Sequence, residues 1–156
     1  MEIEIVAAIA KVTLKSTAEN GVFQRRCFMA FDCELDASIA GSLGLGAKRA
    51  LPALKAGDMQ RVIIAIDRIV AQAVLVAGAD TCRVDRLRGT KATLEAADDD
   101  CAPTVRIEFE TWYHDEIWTF LGRNCGLSAR LTFTPCQLDI EDMISTSPAP
   151  AAKNLA

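Results

Sequence analysis

Histidine is almost missing from this chain. The single copy, His114, stands in Trp112-Tyr113-His114-Asp115-Glu116. A lone imidazole beside two carboxylates would suit a general base or a metal ligand. It reads better as the residue leading into a helix whose first turn carries Asp115 and Glu116, where negative charge is favoured by capping and by the dipole. An enzyme needs two or three groups spaced to cooperate, and this chain offers one His and scattered carboxylates, so no catalytic residue and no cofactor are expected.

Metal-ligand spacing is lacking as well. Cys27, Cys33, Cys82, Cys101, Cys125 and Cys136 form no C-x-x-C pair and no Cys/His pattern suited to tetrahedral zinc. Asp98-Asp99-Asp100 clusters three acids, but the spacing departs from an EF-hand loop, and a solvated hairpin tip is the expectation. Gly41, Gly44 and Gly46 lack the Gly-Lys-Ser/Thr ending of a P-loop and follow a helix pattern instead of opening one after a strand. They read as a helix stop with a mobile connection.

Export and membrane signals are not found. Met1-Glu2-Ile3-Glu4-Ile5-Val6 carries acids where a secretory leader carries Lys or Arg, and Lys11 breaks the apolar run. The long apolar stretch from Val62 to Ala79 contains Asp67, Arg68 and Gln72, costly at the centre of a bilayer. A cytoplasmic location with no membrane contact follows, with reduced cysteines serving as small core hydrophobes or inert surface thiols.

Neither sign of charge dominates: 17 basic against 21 acidic residues leave a formal net charge of −4. That excludes a uniformly basic nucleic-acid coat and a strongly acidic mimic of DNA. What the chain does have is apolar material, 51% of 156 residues, enough for one domain that buries about two-thirds of its unfolded surface.

The order of patterns is the most informative feature. Lys11-Val12-Thr13-Leu14-Lys15 recurs as Lys91-Ala92-Thr93-Leu94-Glu95, each followed by a polar turn and a second apolar run. The first turn contains Asn20-Gly21, the strongest short hairpin signal, because both residues tolerate positive φ. The returning strands are placed at 24–31 and 104–111. In the second, Val105, Ile107 and Phe109 alternate with Arg106, Glu108 and Glu110, the period of a strand with one wet face.

Downstream, Ile39, Leu43 and Gly44 match Ile117, Leu121 and Gly122. Each set reads as a short helix with Asp36 or Asp115 near its cap and a Gly at or past its end. Residues 129–134 read as a strand. The segment from Asp58 to Val76 fits a helical stripe, yet its Val and Ile content and its counterpart at 129–134 favour strand. Residues 83–96 continue as a strand, with Gly89 as a bulge or bend.

The expected fold is therefore α+β: a mainly antiparallel sheet from two hairpin-helix-strand halves, related by an internal duplication, with two short helices. Residues 1–144 make a single domain, with halves near 1–78 and 79–144, and 145–156 make a disordered tail of low apolar content.

Two residue sets stand out as contact candidates. Aromatics are only 6% of the chain, nine residues in all, yet Phe109, Trp112, Tyr113, Trp118 and Phe120 crowd into one stretch. Trp112, Tyr113 and Trp118 are the candidates for a protein interface, where such side chains act as anchors. The densest basic run is Arg83, Arg86, Arg88 and Lys91, with Arg61, Arg68 and Arg106 on neighbouring strands. On an unbroken strand, 86 and 88 share the face of 84, while 83 and 91 point the other way. This run is the candidate for binding single-stranded DNA or RNA, since guanidinium pairs bidentately with phosphate.

The leading expectation is a non-catalytic protein-binding module with a protein partner. Stand-alone, motif-poor domains of this kind are common among accessory proteins of phages and mobile elements, including inhibitors of host machinery. The alternative is a nucleic-acid-binding domain, and unpaired strand edges leave a homo-oligomer open in either case.

Overall fold

A computed structural model describes residues 3–97 and 102–135. Among the described residues six strands and three helices run in the order β1 (Ile3–Glu19), β2 (Val22–Glu34), α1 (Ala37–Leu43), α2 (Leu45–Ala56), β3 (Arg61–Ala77), β4 (Asp80–Glu95), β5 (Thr104–Trp112), α3 (Asp115–Asn124) and β6 (Ser128–Pro135). The strands close into an antiparallel barrel in the order β1-β2-β5-β4-β3-β6. That order reads the same, reversed, when β1, β2 and β3 exchange with β4, β5 and β6, which describes the symmetry of the fold and not its ancestry. The Asp98–Asp100 turn and the 145–156 tail lie outside the described residues.

Two tight turns set the hairpins. Asn20 and Gly21 both take positive φ, 53° and 78°, as a two-residue type I′ loop requires, and Glu19 pairs with Val22 across it. Gly78, with φ 59°, opens the loop between Ala77 and Asp80, where a II′ turn wants Gly first. The ambiguous segment is strand: β3 pairs with β4 from Arg61↔Glu95 to Ala77↔Asp80.

The expectation of two short helices is corrected: three are present. Asp36 caps α1 as anticipated, its carboxylate accepting from the Ile39 backbone N–H at 2.8 Å. Gly44 ends α1 with φ 112°, the expected helix stop, but α2 starts at the next residue, so the glycine-rich stretch leads directly into a second helix. Ala47, Ala50, Leu51 and Leu54 are buried along one face of α2, the i, i+3, i+4, i+7 spacing of an amphipathic helix. Pro52 in that helix, which normally breaks one, masks the pattern. At α3 the cap is His114, whose Nδ1 accepts from the Ile117 backbone N–H at 3.4 Å, with Asp115 and Glu116 in the first turn as expected.

The helices sit at opposite ends. Glu34, Thr104, Glu95 and Arg61 lie in register around one rim, and α1 and α2 connect that rim. At the other end, α3 is tied to the start of β4 by Asn124 Nδ2 at 3.1 Å and Arg123 Nη1 at 3.3 Å from the Asp80 carboxylate. These two donors, Asn124 first, hold the Asp80 carboxyl below its ordinary value. Inside, one core joins Ile9, Phe31, Leu75, Val84, Leu94 and Leu131 to Ala40 and Leu54 from one end and Ile117 and Leu121 from the other. Phe109 stacks on Phe133 at 5.4 Å and meets Phe31 edge-on at 5.8 Å. No helix among the described residues is long and apolar enough to cross a membrane.

Candidate functional site

Strand β4 does not keep a single alternation. Val84 and Leu87 are both buried, while Asp85 and Arg86 between them are both exposed. The cause is Arg86, whose φ of 59° is left-handed and resets which face each later residue takes. A second shift, between Gly89 and Lys91, resets it again at the expected Gly89 bulge. The face reading is thereby corrected: Arg86 and Arg88 do not share the face of Val84, and Arg83, Arg86, Arg88 and Lys91 are all exposed.

At the barrel end nearer α3, the outer wall carries a notch of about 160 Å³ lined by Arg26, Arg86, Arg88, Glu110, Thr111 and Trp112. Register explains the grouping. Arg26 lies opposite Trp112, and Glu110 lies opposite Arg88. Glu110 is only 8% exposed, and its Oε1 accepts from Arg88 Nη1 at 2.8 Å and Arg26 Nη1 at 3.3 Å. Arg26 also lies over the indole of Trp112, 4.6 Å from the ring centre. Trp112 remains 48% exposed. One carboxylate thus orients two guanidiniums, and one of these packs on an accessible ring. Among the described residues Arg86 forms no ion pair.

Trp112 from the aromatic set therefore meets Arg86 and Arg88 from the basic set, while the other candidates lie elsewhere. Tyr113 packs against Arg25 at 5.5 Å, and its hydroxyl donates to Asp115 Oδ1 at 2.6 Å. That bond to a carboxylate raises the phenol above its ordinary value. Trp118 is partly buried against the core. Lys91 pairs with Glu108 at 3.6 Å, and Arg83 lies opposite Val74 on the β3 side. Sequence reading missed Arg26 and Glu110. Nothing local marks either, since only the pairing of β2 with β5 brings them together.

A second exposed feature shares this end. The β2–β5 ladder begins at Arg26 and the β1–β6 ladder ends at Ala8. Among the described residues, no third strand pairs in a ladder with the rungs Thr17↔Gln24 through Glu19↔Val22, while the Arg25 carbonyl still accepts from the Tyr113 backbone N–H at 3.1 Å. This ribbon ends in Val22 and Phe23, 58% and 80% exposed.

Three of the thiols are quiet. Cys33 and Cys82 are pushed up to about 11, and Cys27 upward as well, in each case chiefly by burial. Among the described residues no group of three or more His, Cys, Asp or Glu side chains is arranged to hold a metal ion. Against known proteins, no family model, no curated protein and no solved structure matches this chain.

Proposed function

We propose that the protein is a non-catalytic protein-binding module that reaches its partner with the tip of the β1–β2 hairpin. The observation that carries this reading is Phe23, 80% exposed beside Val22 at 58% on a two-stranded ribbon. Exposed apolar residues scattered singly need no explanation, but a phenylalanine this open at the end of a projecting arm makes an anchor, with Val22 on the opposite face of the ribbon. Burying a phenylalanine contributes roughly 1.5–3 kcal/mol, and aromatic anchors filling a pocket dominate many interfaces. Lys15, Arg25 and Arg26 stand at the base of the arm, below Glu19. The fitting partner surface is an apolar pocket.

The test is affinity capture of the tagged protein from its host lysate after nuclease treatment, beside the Phe23→Ala variant. Phe23→Ala is expected to unfold within about 0.5 kcal/mol of the parent, as exposed substitutions do, while losing the captured partner. A partner retained by the variant as well as by the parent would remove the hairpin tip from the interface.

A further inference from the structure

We infer that the notch at Trp112 binds one nucleotide unit, its base stacked on the open face of the indole and its phosphate held by Arg86 and Arg88. This site is separate from the hairpin tip and stands or falls without it.

The ring comes first. Arg26 lies over Trp112 at 4.6 Å, yet the residue stays 48% exposed, so a flat group can pack on what remains. Base-to-aromatic stacking is strong and tolerant of sequence, because every base has a π-face. The cations come next. Glu110 Oε1 holds Arg26 and Arg88 in place at 3.3 and 2.8 Å, so little ordering is left for a ligand to impose. Arg86, with no ion pair among the described residues, stands beside them in a left-handed backbone, φ 59°. Such a conformation is costly for a residue with a side chain, and strain of this kind clusters at ligand sites. Glycine would relieve it, but only the guanidinium supplies a forked donor for phosphate.

Size decides the class. Enclosed sites for whole cofactors run from about 300 to 1,000 Å³, whereas this notch has about 160 Å³. It accepts a ring and an anionic group at its rim, not an entire dinucleotide. A carboxylate side chain would use the guanidiniums and leave the indole idle, so an acidic peptide fits less well. The larger trough of about 500 Å³ lower on the wall makes no such offer. No aromatic side chain is among its lining residues, so a base would have no ring to stack on. A base must be unpaired to stack, so duplex nucleic acid is not the ligand. A free nucleotide and a single strand present the same chemistry.

The test is a titration of the full chain carrying Trp118→Phe, which leaves Trp112 as the only indole reporter, with calorimetry on the parent chain as a readout independent of that substitution. The probes are adenosine monophosphate, adenosine, inorganic phosphate, a single-stranded oligothymidylate and a glutamate hexapeptide. Saturable quenching by the monophosphate is expected, with adenosine and phosphate each weaker by about tenfold or more, since each forfeits the stacking or the phosphate contact. Arg86→Gly should weaken binding by a similar factor while leaving the melting temperature equal or higher. Affinity should fall as salt rises. Tighter binding of the oligonucleotide identifies the source as a single strand, and equal binding identifies a free nucleotide; both support the site. Absence of saturable binding by either, or competition by the hexapeptide as strong as that of the monophosphate, overturns it.

Discussion

Arg86 shows how much one residue can redirect. An unbroken strand would have turned its side chain toward the core together with that of Arg88. The left-handed φ of 59° lets Val84 and Leu87 both stay inside and sends the cations out. Nothing in the residue type announces this, because Arg is not a residue that seeks positive φ. The thiols show the opposite case, in which residue type and environment agree. Burial pushes the Cys33 and Cys82 thiols up to about 11, above their ordinary 9.0. The neutral thiol is therefore the favoured folded form, and the stability this contributes is complete below about pH 9 and lost as pH rises toward 11. The thiolate is also the form that alkylates. At pH 8, iodoacetamide is expected to modify exposed Cys125 while sparing Cys27 and Cys82, with Cys82 labelled only near pH 11 or in denaturant; peptide mass mapping reads the pattern. Rapid labelling of native Cys82 at pH 8 would contradict its burial.

At the scale of elements, local chemistry was legible wherever a turn or cap residue is diagnostic. Asn20-Gly21 identified the first hairpin, Asp36 the first helix, and the Val105-Ile107-Phe109 alternation the fifth strand. Helix α2 was not legible, because Pro52 argues against a helix and three small residues, Ala47, Ala50 and Gly46, blur its stripe. Tertiary burial of Leu51 and Leu54 overrides that local preference. Pro52 is exposed and cannot donate to the carbonyl one turn earlier, so Pro52→Ala is expected to stabilise the protein by about 1–2 kcal/mol, after allowance for the looser unfolded chain. Urea unfolding measures it, and a decrease in midpoint would show that α2 needs the bend.

For the whole molecule, closure is the decisive property. The barrel exists because Ile3 pairs with Phe133 and Val76 with Arg130, joining both strands that flank β6. One core then serves both ends, and damage anywhere in it should be felt throughout. Leu131, 1% exposed on β6, tests this: Leu131→Ala should cost about 2–5 kcal/mol. Fluorescence and far-UV circular dichroism should report a single shared transition, as one cooperative unit requires. Separate transitions for the two halves would show that they fold as independent units.

The division between sequence and tertiary structure follows from range. Composition, hairpin turns, the capping Asp36 and the strand alternation act over a few residues, and they determined an antiparallel α+β chain with an aromatic segment and a basic run. Those two segments stood as rival contact sets because each was read along its own stretch of chain. Only the pairing of β2, β5 and β4 brought Trp112, Arg86 and Arg88 to one notch with Arg26 and Glu110. That pairing is a matter of register between strands far apart in the chain, Arg26 being separated from Glu110 by 84 residues and Arg88 by 22. It is set by which apolar faces can share one closed core, and no local pattern encodes that.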